Sequence, residues 1–108
     1  MENEKTSVLV VDDIANTRED IKRLLYFEED IVVVGEAGDG EEALRQVRKL
    51  KPDVVLMDIN MPGMDGIMAT EAIFNSEPNT AIIIISIQGE PEYLKKAMAA
   101  GARDYLVK

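Results

Sequence analysis

Four apolar runs recur along the chain at fairly even intervals, with helical patterns between them. "SVLVV" (Ser7 to Val11) is almost continuously aliphatic, as expected of a strand buried on both faces. Asn16-Thr17-Arg18-Glu19 then resembles a capping box. Ile21, Leu24 and Leu25 follow at i, i+3, i+4 spacing, which predicts a first helix. "IVVVGEA" (Ile31 to Ala37) reads as the second strand. Ala43, Leu44, Val47 and Leu50 line a second helix that stops before Pro52. "VVLM" is a third strand, and Thr70, Ile73 and Phe74 mark a third helix. "AIIII" is a fourth strand, and Leu94, Ala97 and Met98 mark a fourth helix that Gly101 ends. "DYLV" completes the series as a fifth strand.

Strand and helix alternate, and the strands are β-branched and nearly all apolar. That pattern predicts an α/β domain with a parallel sheet covered on both faces. With 108 residues, 46% of them hydrophobic, the chain has material for one core, so residues 1–108 form one expected domain. There are no internal repeats or low-complexity tracts. The sequence stops at Lys108, on the last strand, without the helix that would cover one face of a five-stranded sheet. The expectation is a truncated domain or one covered by a partner, with bare apolar surface that drives dimerisation, swapping or aggregation.

Charge narrows the partners. Twelve basic against 21 acidic side chains leave a net charge of -9, which repels nucleic acid and anionic membrane. Divalent cations and basic protein patches fit better. The chain lacks cysteine and histidine, so thiolate sites, disulfides and imidazole chemistry are excluded. The opening "MENEKTS" has no apolar signal core. The longest aliphatic run, Ala81 to Ile85, is far short of the roughly 20 residues of a bilayer span. A cytoplasmic location is expected.

Ligands of open parallel sheets bind outside the carboxyl ends of the strands. Asp12 and Asp13 follow strand one, Asp58 follows strand three, Ser86 ends strand four and Lys108 ends strand five. In strand order 2-1-3-4-5 these residues share one crevice. Crowded carboxylates call for a hard cation, and an all-oxygen set favours Mg2+ or Mn2+. Such an ion leaves positions open for phosphate oxygens, which a lysine and a hydroxyl also bind. A carboxylate placed there can attack phosphorus and hold it as an acyl phosphate. Beyond Asp58, Pro62 and Gly63 turn the chain away, and Asp65-Gly66 starts the third helix.

The segments "VLVVDD", "VVLMDINMPGMDG", "IIIIS" and "GARDYLVK" resemble, in order and over essentially the whole chain, the receiver domain of two-component response regulators. The resemblance implies a flavodoxin-like doubly wound five-stranded parallel sheet of order 2-1-3-4-5, here without the fifth helix. It implies Asp58 as phosphoacceptor and a Mg2+ held by Asp13, Asp58 and the Asn60 carbonyl, with Asp12 acting through water. Ser86 and Lys108 would hold phosphoryl oxygens, and Tyr105 would be the switching aromatic. A sensor histidine kinase or phosphotransfer protein would donate the phosphoryl group, and an output domain or effector would read it. The chain would then catalyse only its own phosphorylation and dephosphorylation. "SIQGEPEYLKKAMAAGARDYLVK" is similar to receivers attached to MinD/ParA-like ATPases of pilus assembly. One departure is Ile87, where the family carries a small residue, and its bulk is expected to narrow access to Asp58.

Plainer readings compete at each position. Asp12-Asp13 is also a common strand-end turn, Ser86 a common structural hydroxyl, and Tyr105 an ordinary strand aromatic. The methionines at 57, 61, 64, 68 and 98 read as packing. Gly38-Asp39-Gly40-Glu41-Glu42-Ala43 fits the G-x-G-x-x-A pattern of dinucleotide sites, with Asp58 downstream. It follows the second strand instead of the first and is crowded by Glu36, Asp39, Glu41 and Glu42, so a tight turn and helix start explains it better. An interaction module that is never phosphorylated is the alternative function; its mark would be a lost acid or a lost lysine.

Overall fold

Each apolar run forms a strand, and all five strands lie side by side in one sheet. The computed structural model describes residues 5–108; Met1 to Glu4, the first part of the polar opening, lie outside the described residues. The elements are β1 (Thr6–Val11), α1 (Ala15–Tyr26), β2 (Ile31–Ala37), α2 (Gly40–Leu50), β3 (Val54–Met57), α3 (Gly66–Ser76), β4 (Ala81–Ser86), α4 (Pro91–Ala100) and β5 (Asp104–Val107). The strand order is β2-β1-β3-β4-β5 and every pairing is parallel. This is the flavodoxin-like order expected from the sequence.

The register brings the carboxyl ends level. Val11 pairs with Met57, Met57 with Ile84, and Ile84 with Tyr105, so one row crosses four strands. Residues one to three steps beyond that row emerge at a common edge. The β1–β2 pairing alone shifts, between Val8 and Leu9, through an irregularity of the bulge type.

Side chains alternate across the sheet, and the two faces are unequally covered. Leu9, Val11, Val55, Met57, Ile82 and Ile84 join Ala43 and Val47 of α2, Ala69 and Ile73 of α3, and Ala97 of α4 in one buried core. On the alternate positions, Val8 and Val10 are buried, but Leu56, Ile83 and Ile85 are only half-buried and Leu106 is exposed. α1 packs on β1 and β2 yet has no fully buried residue. Of its predicted apolar stripe, Ile21 and Leu25 are half-buried, whereas Leu24 is exposed. Phe74, Leu94 and Met98 are likewise exposed, so Ile73 and Ala97 carry the inner faces of α3 and α4.

Three helix starts follow local chemistry, and one corrects the sequence reading. Asp39 caps α2 by accepting from the Glu42 N–H at 2.8 Å, while Glu42 Oε1 accepts from the Gly38 N–H at 2.8 Å. The glycine-rich segment is therefore a capped turn, as the plainer reading held. Asp65 caps α3 through the Met68 N–H at 2.9 Å, and Pro91 opens α4. The expected capping box at Asn16–Glu19 does not form. α1 starts two residues earlier, at Ala15 after Ile14, without a side-chain cap. The reason is that Asp12 Oδ1 accepts the Ile14 N–H at 2.9 Å, and this turn launches the helix. Gly101 ends α4 at φ 118°, as its sequence position predicts. Among the described residues, no helix is long and apolar enough to cross a membrane.

Candidate functional site

Main-chain ladders carry the acids past the strand ends. The Asp12 N–H donates to the Ala37 carbonyl at 3.1 Å, and the Asp58 N–H donates to the Val11 carbonyl at 3.1 Å. Each acid is thus held as if its strand ran one residue further. The chain then turns back tightly, and the Gly66 N–H donates to the Ile59 carbonyl at 2.9 Å. A Cβ on Gly66 would stand 2.1 Å from the Asp58 carbonyl oxygen, so only glycine permits this approach.

Carboxylate oxygens of Asp12, Asp13 and Asp58 all lie within 4.8 Å of one another. Asp12 and Asp58 are buried and Asp13 is exposed. Burial raises the Asp58 carboxyl above its ordinary range; Lys108 and the Ile59 and Asn60 amides oppose that shift, and the Asp12 charge adds to it. Lys108 Nζ stands 3.5 Å from Asp12 Oδ2. At an effective dielectric constant near 20, two carboxylates this close repel by roughly 3 kcal/mol or more. One ammonium against three acids leaves a net negative, all-oxygen pocket, and that donor set fits a hard divalent cation.

The remaining predicted residues gather at the same edge. Ser86 is fully buried, and its Oγ accepts the Gln88 N–H at 3.0 Å. The Tyr105 hydroxyl donates to the Gln88 carbonyl, so Gln88 links the two. The Lys108 N–H donates to the Ser86 carbonyl at 2.8 Å. Asn60 is exposed beside the pocket, two residues beyond Asp58. Ile87, expected to crowd Asp58, keeps 67% of its surface exposed, so most of its bulk faces solvent.

Three participants escaped the sequence reading. Arg18, taken for part of a capping box, donates from Nη1 to the Asp12 carbonyl at 2.6 Å and from Nε to Glu36 at 2.8 Å. Glu36, read as surplus negative charge, also accepts from Lys22 at 2.7 Å. Gln88 was likewise passed over, although its place two residues beyond Ser86 was the available signal.

Comparison with known proteins gives the same picture. Residues 8–108 match the family model described as the response regulator receiver domain. The response regulator GacA of Pseudomonas aeruginosa is 43% identical over 101 residues, 94% of this chain but 47% of that protein. The chain thus spans about half the length of GacA. The chemotaxis protein CheY of Thermotoga maritima is also 43% identical over 101 residues, covering 94% of this chain and 83% of CheY. A chain of the CheX-CheY-BeF3-Mg2+ complex from Borrelia burgdorferi superposes with a TM-score of 0.89 at 32% identity, covering 97% of this chain and 79% of that one. With nearly every described residue inside the family match, and a relative of comparable length at that identity, the chain belongs to the response regulator receiver domain family.

Proposed function

We propose that the chain is a phosphorylatable switch in which Asp58 accepts the phosphoryl group. The observation that carries this reading is the convergence of Asp12, Asp13 and Asp58 at the sheet's carboxyl edge, with Lys108 beside them. The Borrelia complex, which contains beryllofluoride and Mg2+ on a related fold, supports it. Asp13, Asp58 and the Asn60 carbonyl would hold the cation, with Asp12 acting through water. When bound, the cation spreads the charge that develops on the transferring group.

An ionised Asp58 oxygen attacks phosphorus as the bond to the donor's histidine nitrogen breaks. The electron pair returns to that imidazole, and Asp58 is left as an acyl phosphate. Lys108 and the Ser86 hydroxyl bond the phosphoryl oxygens. Ser86 already accepts from Gln88, whose carbonyl holds Tyr105, so a pull on Ser86 reaches the α4–β5 surface through one residue. Water attack on phosphorus restores the carboxylate. The donor in this reading is a histidine kinase or phosphotransfer protein, and the reader is an output domain or effector. The receiver's own charge of -9 keeps it off nucleic acid, whatever its output binds.

The test is incubation with Mg2+ and acetyl phosphate, or with beryllofluoride, for wild type and Asp58→Asn. A mass gain of one phosphoryl group with acetyl phosphate, and a spectral change with beryllofluoride and Mg2+, are expected in the wild type alone. An unlabelled, unresponsive wild type would favour the interaction module that is never phosphorylated.

A further inference from the structure

Arg18 lies outside the acid cluster, yet its guanidinium spans two elements that shape it. Nε donates to Glu36 Oε1 on β2 at 2.8 Å, and Nη1 donates to the Asp12 carbonyl at 2.6 Å. Nη1 also lies 3.4 Å from where a Cβ on Gly38 would stand, so the group sits between α1, the end of β1 and the β2–α2 turn. Glu36 is steered in turn by Lys22, which holds its other oxygen at 2.7 Å.

The Asp12 carbonyl belongs to the peptide that joins the two adjacent acids. One side of exposed Asp13 is therefore held by Arg18. The other is held by Asp12 Oδ1, which accepts the Ile14 N–H at 2.9 Å. An ion pair between α1 and β2 would need only Nε and Glu36. The second, shorter bond reaches main chain inside the pocket and fixes the plane from which Asp13 projects.

We propose that Arg18 is a positioning residue for the cation site: it clamps the Asp12–Asp13 peptide so that the Asp13 carboxylate stays with those of Asp12 and Asp58. This inference rests on the cation reading above. Partners outside the ligand set orient ligands in the same manner at metal sites, and their loss weakens affinity about tenfold or more. Glu36 and Lys22 set the angle of the guanidinium and act through it.

Mn2+ binding, followed by the loss of the free-ion paramagnetic resonance signal, tests this alongside thermal unfolding. Arg18→Met is expected to weaken Mn2+ binding about tenfold. Arg18→Lys keeps a cation near Glu36, but one ammonium lacks the fork that spans both acceptors, so it too weakens binding. Asp53→Asn removes the acceptor of the Ser7 N–H and hydroxyl, below the amino ends of β1 and β3, and serves as the control. It lowers the unfolding temperature and leaves Mn2+ affinity unchanged. Affinities of both Arg18 variants within about twofold of wild type would overturn the proposal and leave Arg18 a plain helix-to-strand ion pair. Should Arg18→Met fail to fold, Arg18→Lys and Glu36→Gln carry the same test. A wild type that takes up no Mn2+ sinks the cation reading itself, whereas one that binds it with the Arg18 variants unchanged sinks only this inference.

Discussion

Gly66→Ala separates a site built on backbone contact from one that merely neighbours a glycine. The added Cβ would stand 2.1 Å from the Asp58 carbonyl oxygen, 2.7 Å from Ile59 Cα and 2.8 Å from the Asp58 carbonyl carbon. All three are main-chain atoms, so no rotamer change relieves them. A close C···O contact is about 3.3 Å, which forces α3 and Asp58 apart by about 1.2 Å. Overpacking of this kind costs about 3 kcal/mol, and the helix preference of alanine over glycine returns about 1 kcal/mol. The net loss of about 2 kcal/mol lowers the unfolding temperature by roughly 8–12 °C in a domain of this size. A reacting group displaced by about an ångström loses roughly a hundredfold in rate, so labelling by acetyl phosphate slows accordingly. Thermal unfolding by circular dichroism and intact-mass labelling measure the two effects. Gly89→Ala, whose Cβ would meet Val107 side-chain atoms at ordinary contacts of 3.6 and 3.7 Å, should change neither. A Gly66→Ala protein that unfolds within about 2 °C of wild type and labels at the wild-type rate would refute the reasoning.

Three further outcomes are expected. Mg2+ at a hundred times its dissociation constant should raise the unfolding free energy by about 2.7 kcal/mol, and EDTA or Asp13→Asn should remove most of that gain; unfolding indifferent to Mg2+ would count against the site. Hydrogen bonds from Lys22 and then Arg18 hold the Glu36 carboxyl below its ordinary range. Its contribution to stability is therefore present above the unfolded value, about 4.3, and is lost as pH falls through the lower folded value. Urea midpoints of wild type and Glu36→Gln should differ at neutral pH and converge in acid, and a constant gap would contradict the linkage. Gly101→Ala meets both the Phe74 ring, 2.5 Å from the new Cβ, and a left-handed φ of 118°. Adding Phe74→Ala, which removes Cγ and Cδ1 and keeps Cβ, should recover most of the steric part and leave at least about 1–2 kcal/mol of conformational cost, read from a double-mutant cycle.

The strands and the strand-end acids were legible because their physics is local. A run such as "AIIII" has few alternatives once flanked by polar helix patterns, and Asp58 follows its strand directly. Strand order was legible only through the family resemblance, since no periodicity states which strands are neighbours. What failed was competition between equally local options. Asn16–Glu19 satisfies the capping pattern, but Asp12 captures the Ile14 N–H first and starts the helix two residues early. Phe74, Leu94 and Met98 fit apolar stripes, yet Gly66, Ala69, Thr70 and Ile73 seat α3, and Ala97 is the buried residue of α4. Arg18 and Glu36 are 18 residues apart, and their pairing depends on how α1 lies across β2, which the sequence does not encode locally.

The row formed by Val11, Met57, Ile84 and Tyr105 has a genetic consequence. Because side chains alternate across the sheet, place in the row is an address, and every residue of the pocket is counted from it. Removing one residue from β3 would send Asp58 to the opposite face, although no carboxylate had been mutated. Exchanging one apolar residue for another at the buried strand positions keeps the address. Changes of length are shut out, and the surface turns are left as the places where insertions can accumulate.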